Sequence, residues 1–116
     1  MFSAGYWNNL MVINTINVRR ISFQNIEKLR TLVLQVLKNP CTKIIFDLKG
    51  VKFIDSASFS IIDELVDIAR RHSTTFVFAN IDEEVQELFE LIPETKSYRI
   101  EEIPAAKEKI KAEVLV

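Results

Sequence analysis

The stretch KIIFDLKGVKFIDSASFSIIDELVDIARRH, from Lys43 to His72, places a strand, a bend and a helix in succession and decides the fold class. Its first part, Lys43 to Leu48, is short, apolar and β-branched, which is typical of a central strand that is buried on both faces. Gly50 then permits a bend. After Ser56 the apolar residues recur every three or four positions, which predicts a helix with a broad buried stripe. The stripe consists of Phe59, Ile61, Ile62, Leu65, Val66, Ile68 and Ala69.

The second half of this helix carries charges in an order that suits the helix dipole. Acidic side chains come early and the basic pair Arg70 and Arg71 comes last, and Asp67 and Arg71 have the spacing of an ion pair on one helix face. His72, the only histidine, has no second histidine or cysteine at metal-ligand spacing. We therefore expect His72 to bond the last helix carbonyls and not a metal.

Strands and helices also alternate after His72. Thr74 to Ala79 reads as a strand, and Asp82 to Ile92 reads as a helix that Asp82 caps and Pro93 ends. The remaining expected elements are a strand at Ser97 to Ile100 and a helix that begins at Pro104 and buries Ala106, Ile110 and Val114.

Before Lys43, residues Leu10 to Ile21 alternate loosely between apolar and polar, which predicts one or two strands of a hairpin with its turn near Asn14 and Thr15. A helix of about four turns should follow, capped by Ser22 and ended by Pro40. Its core face would contain Ile26, Leu29, Val33, Val36 and Leu37.

This order of elements predicts an α/β fold with a mixed, mostly parallel sheet of about five strands, an N-terminal hairpin and about four helices. A chain of 116 residues fits one domain, which we expect to span residues 1–116.

Composition excludes several classes of function. The net charge of -1 is too small to suggest direct nucleic-acid binding, although residues 1–40 carry +4 and residues 41–116 carry -5. The single cysteine, Cys41, excludes an intrachain disulfide and a cysteine zinc site, and it is consistent with a reducing cytoplasm. The N-terminus lacks the basic region of a signal peptide, and no apolar run approaches the ~18 residues of a membrane helix. We expect a cytoplasmic protein that is neither exported nor embedded in a membrane and needs no metal or cofactor.

Enzymatic function is disfavoured as well. Two glycines in the whole chain cannot form a glycine-rich phosphate loop. Ser56 follows a strand and opens a helix as a hydrolase nucleophile does, but His72 lies about 24 Å along the same helix, far beyond the reach of a general base. Asp55 cannot act as a receiver-type phosphate acceptor, because the first acidic residue, Glu27, lies inside the first helix and the magnesium-binding acids are missing.

The cluster of Asp55, Ser56 and Ser58 at the start of the helix therefore leaves two interpretations. These side chains either only cap the free N–H groups of the first turn, or Ser56 is a phosphorylation site. A phosphate on Ser56 would gain from the helix dipole and would add about two negative charges beside Asp55.

The segment IIFDLKGVKFIDSASF, Ile44 to Phe59, resembles the STAS domain of the anti-sigma factor antagonist family, and the resemblance covers most of the chain. The family pattern has an apolar strand, Asp-Leu, a Gly, an apolar-x-Phe-Ile/Met step and then Asp-Ser-Ser/Ala-Gly-Leu. The matching residues are Asp47, Leu48, Gly50, Val51, Phe53, Ile54, Asp55 and Ser56.

The resemblance implies a switch that is not an enzyme. Such proteins bind an anti-sigma factor that is also a serine kinase of the histidine-kinase-like ATPase type, which frees the sigma factor. The kinase then phosphorylates the serine that follows the aspartate and ends the binding, and a serine phosphatase can reset the switch. Ser56 takes the position of that serine, and Asp55 takes the position of the aspartate.

Two features depart from the family pattern. Ser58 and Phe59 stand where the family has Gly-Leu, and Phe59 is either a core residue or an exposed anchor for a partner. Arg19 and Arg20 make the segment before the first helix basic, as a partner contact or as a solvated edge. The resulting prediction is a partner surface of Asp55, Ser56, Ser58, Phe59, Arg19 and Arg20. The alternatives are a STAS scaffold without phosphorylation and a module that senses a small ligand or nucleotide.

Overall fold

The computed structural model describes residues 1–7, 9–38, 43–92 and 98–101. Within these ranges the chain forms seven strands and three helices. In chain order they are β1 (Phe2–Trp7), β2 (Leu10–Thr15), β3 (Arg20–Ile21), α1 (Ile26–Val36), β4 (Lys43–Asp47), β5 (Phe53–Ile54), α2 (Ser56–Arg71), β6 (Thr75–Ala79), α3 (Glu83–Leu91) and β7 (Arg99–Glu101).

Five of the strands form the main sheet, in the spatial order β1-β2-β4-β6-β7. Strands β1 and β2 pair antiparallel, and every other neighbouring pair in this sheet is parallel. The prediction of a mixed, mostly parallel sheet of about five strands with an N-terminal hairpin is confirmed. Strands β3 and β5 form a separate parallel pair of two residues each.

The hairpin lies earlier in the chain than the sequence pattern indicated. Its two strands are β1 and β2, in which Trp7 pairs with Leu10, so the prediction of a turn near Asn14 and Thr15 is wrong and those residues end β2. Asn9 has a φ of 66°, a conformation that asparagine tolerates and that tight hairpin turns require. Asn9 was therefore the turn signal, and Arg20–Ile21 belongs to the small second sheet.

The three helices cover one face of the main sheet. Each crossover connection moves one strand further in the same direction, and right-handed crossovers of that kind place their helices on a common side. The core beneath them contains an aromatic cluster with ring centroids 4.9 to 6.2 Å apart, in which Phe78 contacts four other rings. The cluster consists of Phe46, Phe76, Phe78, Phe89 and Tyr98.

Helix α1 begins later than predicted. Asn25 occupies the position before the helix and forms no side-chain cap, so the assignment of Ser22 as the cap is wrong. The Ser22 carbonyl instead accepts hydrogen bonds from the N–H groups of Asn25 and Ile26, which adds a turn before the helix. The helix is consequently 11 residues long, about three turns. Its predicted core residues Ile26, Leu29, Val33, Val36 and Leu37 are all buried.

Other predicted boundaries agree with the structure. Asp82 caps α3, and the ion pair between Asp67 and Arg71 forms at 3.0 Å. The His72 ring bonds the Ile68 carbonyl at 2.9 Å, as expected of a residue that closes helix α2. Pro40, Pro93 and the fourth helix predicted from Pro104 lie outside the described residues.

Candidate functional site

The small two-stranded sheet positions the start of helix α2. Arg20 pairs with Phe53 and Ile21 pairs with Ile54, and the Asp55 N–H extends this pairing by donating to the Ile21 carbonyl at 3.0 Å. Ile21 and Ile54 point into the core. Because side chains alternate along a strand, Arg20, Phe53 and Asp55 share the opposite, outward side of this sheet. The candidate site therefore begins on a fixed backbone.

Asp55 connects two segments that are distant in sequence. One carboxylate oxygen accepts a hydrogen bond from the Ser58 N–H at 2.7 Å, the regular N-cap contact of a helix. The other accepts from the Phe23 N–H at 3.2 Å. The capping interpretation of Asp55 is therefore correct, and the same side chain also fastens the turn between β3 and α1 to the start of α2.

The environment of Asp55 favours its ionised form. Partial burial alone would raise the pKa of this carboxyl group, but the contacts with Ser58 and Phe23 and the charge of Arg20 outweigh burial and lower the pKa. Asp55 is consequently a carboxylate at neutral pH, and both of its oxygens already accept hydrogen bonds from the backbone.

The hydroxyl groups near the helix start differ sharply in exposure. Ser56, the first residue of α2, is exposed, and so is Ser60 one turn later. Ser58 is fully buried, and its hydroxyl oxygen forms no hydrogen bond of regular geometry, although it lies near enough to Asp55 to favour the charged carboxylate. Of the three serines near the helix start, Ser56 and Ser60 are exposed to a modifying enzyme, whereas Ser58 is not.

Phe59 belongs to the core and not to the surface. Its side chain is 5% exposed, and its ring lies 5.5 Å from that of Phe89 in an edge-on arrangement. Of the two roles that the sequence left open for Phe59, the structure shows the first. Phe59 and the buried Ser58 support the exposed first turn from below, whereas Asp55 and Ser56 reach the surface.

The two arginines of the predicted site lie beside this turn. Arg19 and Arg20 are exposed, and the Arg20 guanidinium carbon lies 4.6 Å from the centroid of the Phe53 ring, within the range of a cation–π contact. The Arg19 carbonyl accepts hydrogen bonds from the N–H groups of Lys52 and Phe53 at 2.8 and 3.2 Å. The structure thus brings the residues of the predicted partner surface together. The small sheet and the helix start carry Arg20, Asp55, Ser56, Ser58 and Phe59, and the Arg19 backbone lies beside them.

Phe23 lies at the site but was not among the residues predicted for it. The ring of Phe23 is 75% exposed, although its N–H group bonds the Asp55 carboxylate. A phenylalanine just before a helix is usually assumed to be buried, and nothing in the spacing indicated which side of the turn it would occupy.

A polar cluster at the carboxyl ends of β4 and β6 was also missed. Asp47 is buried and accepts hydrogen bonds from the Lys49 N–H at 3.0 Å and from the Asn80 side chain at 3.1 Å. Asn80 has a φ of 55°, which favours asparagine or glycine. Nearby, Lys52 forms an ion pair with Asp82, and this hydrogen bond lowers the pKa of the Asp82 carboxyl group. These contacts fix the loop that leads from β4 to β5.

A groove runs beside Ser56 on the other side of the helix start. It has a volume of about 310 Å³ and is lined by Ser56, Phe59, Ser60, Asp63, Ile92 and Tyr98. The Tyr98 hydroxyl donates to the Asp63 carboxylate at 3.2 Å across the groove. Polar and aromatic groups therefore both border the exposed serine.

No three side chains of histidine, cysteine, aspartate or glutamate within residues 1–7, 9–38, 43–92 and 98–101 are arranged to hold a metal ion. None of the helices in these ranges combines the length and the apolar character that a membrane span requires.

Solved structures of known proteins resemble this fold. The chain resembles the phosphorylated form of SpoIIAA, a Bacillus cell fate determinant, with a TM-score of 0.71, 11% identity and coverage of 97% of this chain and 99% of that chain. It resembles an anti-sigma-factor antagonist (STAS) domain protein from Planctomyces limnophilus with a TM-score of 0.78, 14% identity and coverage of 96% and 95%.

A third similar structure is the murine anion transporter Solute Carrier 26 family member A9, with a TM-score of 0.72 and 15% identity over 91% of this chain but 18% of the transporter. At such identities these likenesses show a shared fold. No curated protein sequence matches the chain. The STAS domain family profile matches residues 12–102, which include all three described helices and every described strand except β1 and the start of β2. The chain therefore belongs to the STAS domain family.

Proposed function

We propose that the protein is an anti-sigma factor antagonist that is switched by phosphorylation of Ser56. In the unphosphorylated state it binds an anti-sigma factor that is also a serine kinase of the histidine-kinase-like ATPase type, and this binding releases a sigma factor. Transfer of the ATP γ-phosphoryl group to the Ser56 hydroxyl, with loss of the hydroxyl proton, ends the binding. A serine phosphatase restores the first state by hydrolysis.

The observation that carries the proposal is the position of Ser56. Its hydroxyl group is exposed at the first position of a 16-residue helix, while Ser58, two residues later, is fully buried. The Asp55 carboxylate before it is held by two backbone N–H groups and is not free to move away. A phosphate on Ser56 would meet the favourable end of the helix dipole but would place about two extra charges on the surface next to a fixed carboxylate.

The similar proteins support this proposal. The Bacillus cell fate determinant SpoIIAA has been solved in phosphorylated form, and the anti-sigma factor antagonist SpoIIAA has been solved in unphosphorylated form. A fold of this kind therefore accommodates phosphorylation in at least one relative. The exposed helix-start serine of the present chain offers a chemically suitable acceptor.

A capture experiment tests the proposal. The protein is immobilised and exposed to lysate of its source cell, with and without ATP, and the eluates are analysed by mass spectrometry. The proposal predicts capture of a histidine-kinase-like ATPase without ATP, its release with ATP, and a free sigma factor in the unbound fraction. Stable capture of other proteins with Ser56 unmodified would contradict the proposal and favour a STAS scaffold.

The groove beside Ser56 favours a second candidate function, the sensing of a small ligand or nucleotide. At about 310 Å³ it lies at the lower end of the volumes that small-molecule sites have, and it is bordered by serine hydroxyls and two aromatic rings. Titration with ATP, ADP and GTP, followed by backbone NMR, distinguishes this candidate. Shifts confined to Ser56, Ser60 and Asp63 would support it, and unmoved resonances would eliminate it.

A further inference from the structure

We propose that Phe23 is the anchor of the partner-binding surface, and that the surface fits an apolar pocket on the anti-sigma factor kinase that is bordered by carboxylates. This inference rests on the proposed function, since it names the chemistry of the kinase surface that meets the start of helix α2. The surface consists of Arg19, Arg20, Phe23 and Phe53, here named the aromatic–basic patch.

Phe23 combines an exposed ring with a backbone of fixed geometry. A single exposed apolar side chain needs no explanation, but the ring of Phe23 is 75% exposed on a turn that is held by several hydrogen bonds. Ser22 N–H donates to the Asn25 side chain at 2.9 Å, Asn25 donates to the Arg20 carbonyl at 2.8 Å, and Phe23 N–H donates to Asp55. Because the backbone that carries the ring is already fixed, little backbone entropy is lost when a partner binds Phe23.

The two arginines of the patch differ from other basic residues of the described chain in their ion pairing. In the described parts of the chain Arg30, Lys52 and Arg71 each form an ion pair with a carboxylate, whereas neither Arg19 nor Arg20 does. Arg20 instead lies over the Phe53 ring, which is itself 37% exposed. Both guanidinium groups keep their donors available, and guanidinium groups pair with carboxylates through two parallel hydrogen bonds.

Positive charge outweighs negative charge at the patch. The Asp55 carboxylate beside it carries one negative charge and attracts Arg20, whereas the patch itself carries the two exposed guanidinium groups of Arg19 and Arg20. The patch therefore presents net positive charge around an exposed aromatic ring. Such a surface is complementary to an apolar pocket with an acidic border, because opposite charges at an interface favour association and like charges suppress it.

The aromatic–basic patch lies beside the proposed phosphorylation site, Ser56. Asp55 bonds Phe23 on one side and precedes Ser56 on the other, so a phosphate on Ser56 would lie next to the patch. It would cancel the positive charge that the partner's carboxylates require and would compete with them for Arg20. The aromatic–basic patch thus gives a physical reason why phosphorylation would end binding.

The test uses the full chain and the purified anti-sigma factor kinases of its source organism as probes, with affinity measured by calorimetry. Phe23→Ala should weaken binding at least ~30-fold, the size expected for an anchor residue. Leu34→Ala is the control, because Leu34 is 38% exposed and lies about 12 Å along α1 from its first residue, Ile26. The control should change affinity less than ~2-fold, and melting curves should show both variants folded.

The charge requirement is tested with Arg20→Glu, which should weaken binding further, and with added salt, which should weaken the wild-type complex. Unchanged affinity of Phe23→Ala for a kinase that binds the wild type would overturn the inference and leave the proposed function intact.

If no kinase binds the wild type, the proposed function fails. Two peptides then test whether the aromatic–basic patch prefers an acidic apolar partner. The acidic peptide Glu-Glu-Leu-Phe-Leu-Glu-Glu should shift the backbone resonances of Arg19, Arg20 and Phe23 in a salt-dependent way. The basic peptide Lys-Lys-Leu-Phe-Leu-Lys-Lys should leave them unmoved. Equal effects of the two peptides, or shifts centred elsewhere, would overturn the inference.

Discussion

The carboxylate of Asp55 accepts a hydrogen bond from the backbone N–H of Phe23, at 3.2 Å, across 32 positions of sequence. The same carboxylate caps helix α2 through Ser58 N–H at 2.7 Å. One side chain therefore fixes the backbone that carries Phe23 relative to the helix start that carries Ser56. The proposed binding surface and the proposed switch share this connection.

Removal of Asp55 should destabilise the protein in a pH-dependent way. Asp55→Ala removes a helix cap and a second hydrogen bond, so we expect a loss of about 1–2 kcal/mol in the free energy of unfolding at pH 7. The pKa of Asp55 is lowered in the folded state. Its stabilising effect is therefore present above the unfolded pKa of about 3.9 and is lost as the pH falls through the folded pKa. Urea denaturation at pH 7 and at pH 3 measures the difference.

Asp67→Ala is the control for this prediction. Asp67 lies on the exposed face of the same helix and forms a surface ion pair with Arg71, so its loss should cost no more than about 0.5 kcal/mol. A destabilisation by Asp55→Ala that is as small as that of Asp67→Ala would show that the Asp55 contacts add little.

Substitution of Ser56 should separate binding from stability. Ser56→Asp should weaken binding to the kinase while changing the melting temperature little, because an acidic residue is favoured in the first turn of a helix. Ser56→Ala should bind as the wild type does and resist phosphorylation. Affinity measurements and melting curves on both variants check this prediction, and a large loss of stability with unchanged binding would contradict it.

Ser60 provides the control for the phosphorylation site. It is exposed one turn after Ser56, and its hydroxyl donates to the Ser56 carbonyl at 3.4 Å, whereas Ser58 is inaccessible. Ser60→Ala should be phosphorylated by the kinase as the wild type is. Phosphate on Ser60 in the Ser56→Ala variant would mean that the phosphorylation site lies one helical turn later than proposed.

The two phenylalanines of the site should respond in opposite ways to truncation. Phe59→Ala should lower the free energy of unfolding by about 3–5 kcal/mol, because the ring is 5% exposed and packs against Phe89. Phe23→Ala should change it by less than about 0.5 kcal/mol, because the ring is mostly in solvent. Chemical denaturation of both variants measures this contrast, and a similar loss in both would mean that Phe23 packs against the fold in solution.

Arg20 should interact with a phosphate on Ser56. Arg20 lies on the outward side of the small sheet with Phe53 and Asp55, and its charge already helps to lower the pKa of Asp55. Phosphoserine can be installed at position 56 by codon expansion and its second ionisation followed by phosphorus NMR. Arg20→Gln should raise that pKa, because a neighbouring cation favours the dianion.

The matched control for this measurement is Arg71→Gln. Arg71 ends helix α2, about 22 Å from its first residue, so it lies beyond the screening length at physiological salt. Its substitution should leave the phosphate pKa unchanged. Equal shifts in the two variants would show a general effect of net charge and not a contact with Arg20.

The sequence predicted the parts of the fold that periodicity controls. The strand β4, the helix α2 and the strand β6 follow from apolar runs and a helical stripe, and Asp55 and Ser56 lie at the junction where those patterns change. The position of the hairpin was predicted wrongly because β1 contains Gly5 and its apolar and polar residues alternate only weakly. The signal that locates the hairpin is the turn residue Asn9.

The surface of the site was harder to predict. The exposure of Phe23 depends on hydrogen bonds that join residues far apart in sequence, above all the one to Asp55. The apolar stripe of α2 allowed Phe59 to be a core residue, but the contact with Phe89 on another helix, which no local pattern reveals, is what excludes an exposed anchor. Local patterns therefore indicated which residues gather at the site but not which of them face solvent.

Affinity before and after phosphorylation is the most direct test of the central claim. The protein is incubated with its purified partner kinase and ATP, the modified residue is mapped by mass spectrometry, and the affinity of the modified and unmodified forms for the kinase is compared. We expect a single phosphate on Ser56, and we expect the modified form to bind the kinase at least ~30-fold more weakly than the unmodified form. Full phosphorylation of Ser56 with unchanged affinity, or tight binding without any phosphate transfer, would contradict it.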